Sequence, residues 1–327
     1  MLSAREVIHQ SGLFEEILAD EQETVSARLG NRLEALTRVR ETRKDNSQEI
    51  GYASRPFLLC NLPIRKVPDG LLTWERRNGH FFLRIEASPK YGLPFGSDRL
   101  IPILVATLAV LQQSREVHLG SAADICRLVG MDTGGYSYRR IMEGFQRVFS
   151  STIYFGTDRM SSNSVLDTSR VAFFDRMKLW YDDSARPAKG NQHERHENII
   201  YLSEPFWQEL QHHRIPVDLN VVRALKDAPA NLDFFLWLSL RSWTVPKGVV
   251  ARIPLFGPEG LTQHLGSAEY SNPRRFRQKV KEWLCVIQNA WSECPATVDG
   301  DYLLVRHAEA INSRFPSEIP ATAGCRR

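Results

Sequence analysis

Asn272 to Trp291 reads NPRRFRQKVKEWLCVIQNAW, and the fold turns on how this stretch is understood. At 3.6 residues per turn, Phe276, Val280, Trp283, Leu284 and Ile287 fall on one stripe, the core-facing pattern of an amphipathic helix. The opposite face carries Arg274, Arg275, Gln278 and Lys281, with Arg277 beside them. Asn272 suits the N-cap and Pro273 the first helical position. Between Arg274 and Lys281 there are five basic residues and no acid. Cations in a first turn work against the helix dipole. Such a turn makes sense where it meets phosphate; a solvated basic face is the other reading of the same run.

A second copy of the pattern lies upstream. Glu116 to Leu119 reads as a strand, Ser121 to Val129 as a short helix stopped at Gly130, and Ser137 to Phe149 as a longer helix. Thr152 to Phe155 and Val171 to Tyr181 read as two strands around a polar loop, Asp158 to Arg170. Downstream the order recurs: a strand at Val250 to Ile253, a short helix ending at Gly266, the helix from Asn272, and strands around Asp299-Gly300. Laid over each other, Leu128-Val-Gly130 meets His264-Leu-Gly266 and Arg139-Arg140-Ile141 meets Arg274-Arg275-Phe276. Phe145, Val148 and Phe149 then fall on Val280, Trp283 and Leu284. Tyr136, Arg139, Arg140, Gln146 and Arg147 form the outward face of the first copy. Strand, helix, turn, helix, hairpin is the order of a winged helix-turn-helix, whose second helix enters the major groove while the wing lies on the backbone.

The expected architecture is therefore α+β, with two tandem winged helix-turn-helix domains related by a pseudo-twofold axis. Residues 1–54 are expected as a helical, charged arm, which serves a partner or is merely a solvated terminus. The first domain is placed at 55–182, a polar linker or loop at 183–198, the second domain at 199–308 and a disordered tail at 309–327. Phe57 to Cys60, Leu71 to Trp74 and His80 to Ile85 read as strands, the last two joined by an Asn78-Gly79 turn. Arg159, Arg170 and Arg306 sit where wings should be, and contacts to DNA backbone or minor groove are expected there.

Composition allows this and excludes other classes. The 327 residues suffice for roughly two domains, and 43% hydrophobic with 24% charged residues is ordinary globular material. No apolar run approaches a membrane span, and MLSAREVIHQ lacks the apolar core of a signal peptide. Cys60, Cys126, Cys285, Cys294 and Cys325 are scattered without metal spacing, as free thiols in a reducing cytoplasm would be. The net charge of +4 permits nucleic acid without demanding it, so the distribution of charge matters more.

Several stretches together resemble the plasmid-encoded RepA replication initiators. They are Tyr91-Gly-Leu-Pro-Phe-Gly96, Val217-Asp-Leu-Asn220, Leu225-Lys226, Asn231-Leu-Asp-Phe-Phe-Leu-Trp-Leu-Ser-Leu-Arg241 and the Arg-Arg-Phe segment at Phe276. The resemblance spans roughly residues 55 to 310. It implies tandem winged-helix domains that bind directly repeated sites (iterons) in a plasmid origin, open it and recruit the host initiator and helicase. Double-stranded origin DNA is then the partner, in the cytoplasm and away from membranes. Autorepression of the gene and a monomer–dimer equilibrium are further expectations. No catalytic residue, metal or cofactor is implied, so the chain is expected not to be an enzyme.

Other signals are weaker. His193-Glu-Arg-His196 lies in a polar stretch without a convincing third metal ligand. Asp299-Gly-Asp301 is explained by a hairpin turn. Lys189-Gly190 lacks the earlier glycine of a phosphate loop, and no Gly-x-Ser-x-Gly elbow or nickase-type His pair is present. Trp237, Trp243 and Trp283 sit at core spacing and read as packing residues. A transcriptional regulator without initiator activity, and a primase or nickase, remain the alternatives.

Overall fold

The chain begins, where the structure describes it, with a helix that does not behave as a loose end. The structure is a computed structural model and describes residues 27–44, 48–78, 81–160, 166–178, 198–257, 260–265 and 272–308. Helix α1 (Ala27–Lys44) buries Leu33, Leu36 and Val39, three residues apart and so on one side. Strand β1 (Ile50–Ser54) runs into helix α2 (Arg55–Leu59). A strand was expected at Phe57 to Cys60; Pro56 in the first turn instead pre-sets the helical φ, and the strand lies just upstream. Gly51 lets β1 lie tight against the two segments that carry Leu219 and Thr107, into which a Cβ would press.

Next come β2 (Thr73–Asn78) and β3 (Phe81–Glu86), a one-turn 3-10 segment (Gly96–Arg99) and α3 (Leu100–Gln112), which is almost entirely buried. Then follow β4 (Glu116–His118), α4 (Ala122–Leu128), α5 (Gly135–Phe149), β5 (Thr152–Met160), β6 (Leu166–Ala172), β7 (Phe174–Lys178) and β8 (Ile199–Leu202). The second half comprises α6 (Glu204–His213), β9 (Arg214–Asp218), α7 (Leu219–Ala224), α8 (Pro229–Thr244), β10 (Val250–Pro254), α9 (Leu261–His264), α10 (Pro273–Ala290), β11 (Ala296–Asp299) and β12 (Tyr302–Arg306). This is a mixed helix-and-sheet chain. Among the described residues no helix is long and apolar enough to cross a membrane.

The strands pair antiparallel in four groups: β2-β3-β5-β6, β4-β8-β7, β10-β12-β11 and β1-β9. Two of these differ from the expected plan. The returning strand of the first hairpin was expected as one piece from Val171 to Tyr181. It breaks at Phe173, whose buried ring turns into the core, and its two parts join different sheets. Strand β8 lies between β4 and β7, so the boundary expected at residue 199 falls inside a sheet. The expected polar loop from Asp158 to Arg170 is largely strand, with β5 reaching Met160 and β6 starting at Leu166.

The halves interlock. Buried residues from Leu33 to Val305 form one contiguous core. Helix α1 packs on α10 and α7, and the short α9 packs on β2. The Arg76 guanidinium donates to the Gln263 carbonyl at 3.4 Å. Arg99 ties two of the motif stretches together inside: it is buried, pairs with buried Asp233 of α8, and donates to the carbonyls of Gly96 (2.7 Å) and Pro63 (2.9 Å). Their role is to hold the fold, because a buried charge is retained only where it is paired and hydrogen-bonded. Residues 183–197 and 309–327, expected as linker and tail, lie outside the described residues.

Candidate nucleic-acid interface

Helix α10 carries the most exposed cations of the candidate set. Asn272 caps it: its side-chain oxygen accepts from the Arg274 amide at 2.9 Å and the Arg275 amide at 3.4 Å. Pro273 stands in the first turn, as the sequence implies. Phe276 and Val280 anchor the inner side, with the Phe276 ring edge-on to Trp283 at 6.0 Å. From Trp283 to Ile287 the helix is buried all round. Ahead of that it is not: Asn272, Arg274, Arg275 and Lys281 are exposed, and Gln278 is half-buried. Among the described residues, Arg274, Arg275 and Lys281 have no carboxylate partner.

Arg277 does have one. Its guanidinium pairs with Asp301 at the β11–β12 turn. That turn, Asp299-Gly300-Asp301, is acidic, and Gly300 takes the positive φ it requires. Arg306 lies at the other end of β12, opposite Val250, so the expected wing contact from Arg306 is not at the hairpin tip. The turn between α9 and α10 lies outside the described residues.

In the first copy the capping reads as expected. Ser121 caps α4, accepting from the Asp124 amide at 3.2 Å, and Asp124 returns the bond to the Ser121 amide at 3.0 Å. Gly130, at φ +68, ends the turn after α4. A Cβ there would stand 2.7 Å from the Arg223 side chain, whose Nε donates to the Leu128 carbonyl at 3.0 Å. Helix α5 then presents Tyr136, 78% exposed, and exposed Arg139.

The rest of the expected first face is less exposed, and two of its cations are paired within the chain. Arg140 is half-buried, donating to Asp227 at 2.9 Å and to Ser97 Oγ at 3.2 Å. Arg147 is a correction. Its side chain is 16% exposed and forks onto Asp98, itself 3% exposed, at 2.6 and 2.9 Å. Phe95 lies under its guanidinium at 4.9 Å. Burial works against the Arg147 charge, but hydrogen bonds and charge from Asp98, with Glu143 adding, raise the guanidinium above its ordinary value. Gly144 lets α5 approach this pair, since a Cβ would meet Asp98 at 2.7 Å. Gln146 is half-buried. Helical spacing placed Arg147 near the outer face; a carboxylate 49 residues away claims it, which spacing does not show.

The first hairpin is a better projecting element than the second. Strand β5 pairs with β3 only as far as Thr157, and from Asp158 to Met160 its described partner is β6 alone. Arg159 and Arg170 belong to this hairpin, opposite Asp167 and Gly156; their side chains lie outside the described residues. Among the tryptophans, Trp237 and Trp283 are core residues, but Trp243 is 48% exposed beside His307. Among the described residues no three His, Cys, Asp or Glu side chains gather as metal ligands, and His193 and His196 are not among them.

The reading from helical faces missed α1. Arg28, Arg32, Arg38, Arg40, Arg43 and Lys44 stand there against Glu34 and Glu41, a basic surplus visible in composition alone. Arg32 and Arg38 line a groove with Tyr136 and Arg140 of α5.

Such a chain, with interlocked helices and sheets and two outward basic helix heads, falls in a recognised class. Residues 93–252 match the family described as "Plasmid encoded RepA protein". Over that stretch the chain is similar to the RepA family, and the resemblance drawn from the motifs is borne out there. It takes in α3 to α8 with the Leu93–Gly96, Val217–Asn220 and Asn231–Arg241 motifs, and stops in β10, before α10. No curated protein matches. Among solved structures, selenomethionine derivatives of domain 2 and domain 3 of RctB align with TM-score 0.49 and 14% identity, over 71% of this chain and 85% of that one. RctB domains 2-3 align with TM-score 0.41 and 14% identity, over 75% and 84%. These scores are too low to transfer anything.

Proposed function

We propose that this chain is a plasmid replication initiator that binds repeated sites in origin DNA through two winged-helix units. The observation that carries this is the N-terminal half of α10, where Arg274, Arg275 and Lys281 face outward while Phe276, Val280 and Trp283 to Ile287 are buried. A helix rooted in a core with a bare basic tip is suited to enter a major groove. Arg reads guanine by two parallel hydrogen bonds, and neighbouring cations hold phosphates. The order α8, β10, α9, α10, β11, β12, with β12 between β10 and β11, supports a winged-helix reading of the second unit. The first unit is a variant, with β8 inserted and the hairpin fused to β2–β3. Here Tyr136 and Arg139 supply the exposed face, and β5–β6 serves as the wing.

Origin opening, recruitment of the host initiator and helicase, autorepression, a cytoplasmic location and a monomer–dimer equilibrium belong to the same reading. So does action without a catalytic step. The test is a footprint of purified protein on plasmid origin DNA. Protection of regularly spaced direct repeats supports the proposal; protection of promoter DNA alone favours a transcriptional regulator. Primer synthesis or strand cleavage by the protein overturns the non-enzymatic part.

A further inference from the structure

Tyr136 and Arg140 belong to two surfaces at once. One is the head of α5. The other is a groove on its flank, walled by α1, α7 and the start of α5, with a volume of about 920 Å3. Its cations are Arg32 and Arg38 from α1, Arg140 from α5, and Arg223 and Lys226 at the end of α7. Asp227 is the lining carboxylate, and it is divided: it accepts from Arg140 at 2.9 Å and is also the charge that acts on Arg32. Burial lowers the Arg32 guanidinium below its ordinary value, and Asp227 pulls it back. Glu49 takes Arg223 with both oxygens, one of them at 2.8 Å. Among the described residues, Arg38 and Lys226 have no ion pair.

Five cations therefore line the concave wall with one carboxylate, Asp227, while Glu49 draws on Arg223 from outside it. Like charges in a cleft with low-dielectric walls focus their field and concentrate counter-ions. Guanidinium forks suit phosphate, which they grip through two hydrogen bonds.

We propose that this groove holds the phosphate backbone of the duplex beside the segment met by α5, which makes the arm helix α1 a third DNA-contacting element. The proposal rests on the reading of α5 as a DNA-facing helix. An acidic protein segment would satisfy the same charges. DNA is favoured by continuity, because Tyr136 and Arg140 are part of both the groove and the α5 head, so a polyanion leaving one runs into the other. The groove fixes register and adds affinity; it does not choose sequence, since backbone contacts carry no base information.

The test uses the full chain with Arg38→Ala and Lys226→Ala together, compared with wild type and with Arg274→Ala plus Arg275→Ala. Binding is read by fluorescence anisotropy over a salt series, on a duplex from the plasmid origin and on a scrambled duplex of equal length. Loss of two phosphate contacts makes the slope of log K against log salt shallower by about 2, and weakens both duplexes alike. Melting followed by circular dichroism should be unchanged. If the alanine pair melts early, Arg38→Gln with Lys226→Gln keeps the side-chain stems and repeats the measurement. An unchanged slope and affinity, beside weakened binding in the α10 variant, overturns the groove and leaves the DNA-facing helices standing. The same result is expected if the groove takes an acidic protein segment. Wild-type protein that binds neither duplex at low salt overturns both readings.

Discussion

Helices α5 and α10 each carry an Arg-Arg pair just before a buried residue, Ile141 or Phe276, but the pair lies nearly a turn deeper in α5, and the molecule uses the pairs differently. In α10 both Arg274 and Arg275 stand exposed, and only Arg277 is drawn aside, to Asp301. In α5 only Arg139 of the pair is exposed, Arg140 is held by Asp227 and Ser97, and Arg147 is locked onto Asp98. Equal spacing on two helices thus gives equal directions but unequal availability. What decides availability is whether a carboxylate from elsewhere in the chain arrives at the same place. Under the proposed function, α10 is the principal reader and α5 a helix that shares its cations between fold and ligand.

The sharpest way to break that comparison is at Arg147. Arg147→Ala leaves Asp98 charged and buried without its partner, so unfolding in denaturant should show a loss of about 3–5 kcal/mol. Retained stability with weakened DNA binding would return Arg147 to the interface and make the two heads equivalent. Next in size is Arg275→Ala in α10. If Arg275 pairs with a base, specific affinity drops by about 1–3 kcal/mol with no change in melting; if it meets phosphate, all sequences weaken alike and the salt slope shrinks. Absence of both effects would take α10 out of the interface.

Gly130→Ala tests how firmly α5 is seated. The positive φ alone costs about 1–2 kcal/mol in a non-glycine residue, and the approach of Arg223 adds to it, so thermal melting should fall accordingly. The smallest effect is expected at Asp301→Asn. Its exposed pair with Arg277 contributes less than about 1 kcal/mol to stability. The freed Arg277 should steepen the salt dependence of DNA binding by about 0.9, which a titration in rising salt would read.

Much of the local structure was legible in the sequence. The N-caps Ser121 and Asn272, the stop at Gly130 and the core stripe of α10 follow from capping chemistry and helical periodicity, which act within a few residues. The first strand and the order of the sheets were harder. Phe57 to Cys60 has the apolar content of a strand, yet Pro56 decides for helix. The insertion of β8 between β4 and β7 joins segments about 80 residues apart, and no local pattern announces such a pairing. The exposed face of α10 was readable because its neighbours in sequence are its neighbours in space. The commitment of Arg147 and the groove beside α1 were not, because Asp98, Arg32 and Lys226 come from distant parts of the chain.

The pairing of β1 with β9 sets Ile50 opposite Asp218 and Ser54 opposite Arg214. During synthesis the first of these strands leaves the ribosome long before the second exists. Until then Leu33, Leu36 and Val39 of α1 also wait for α10, made later still. Closing such distant contacts carries a loop-entropy cost that slows folding, and half-made chains expose apolar surface. The core around α1 therefore closes only once α10 has been made, and until then that apolar surface stays open to solvent.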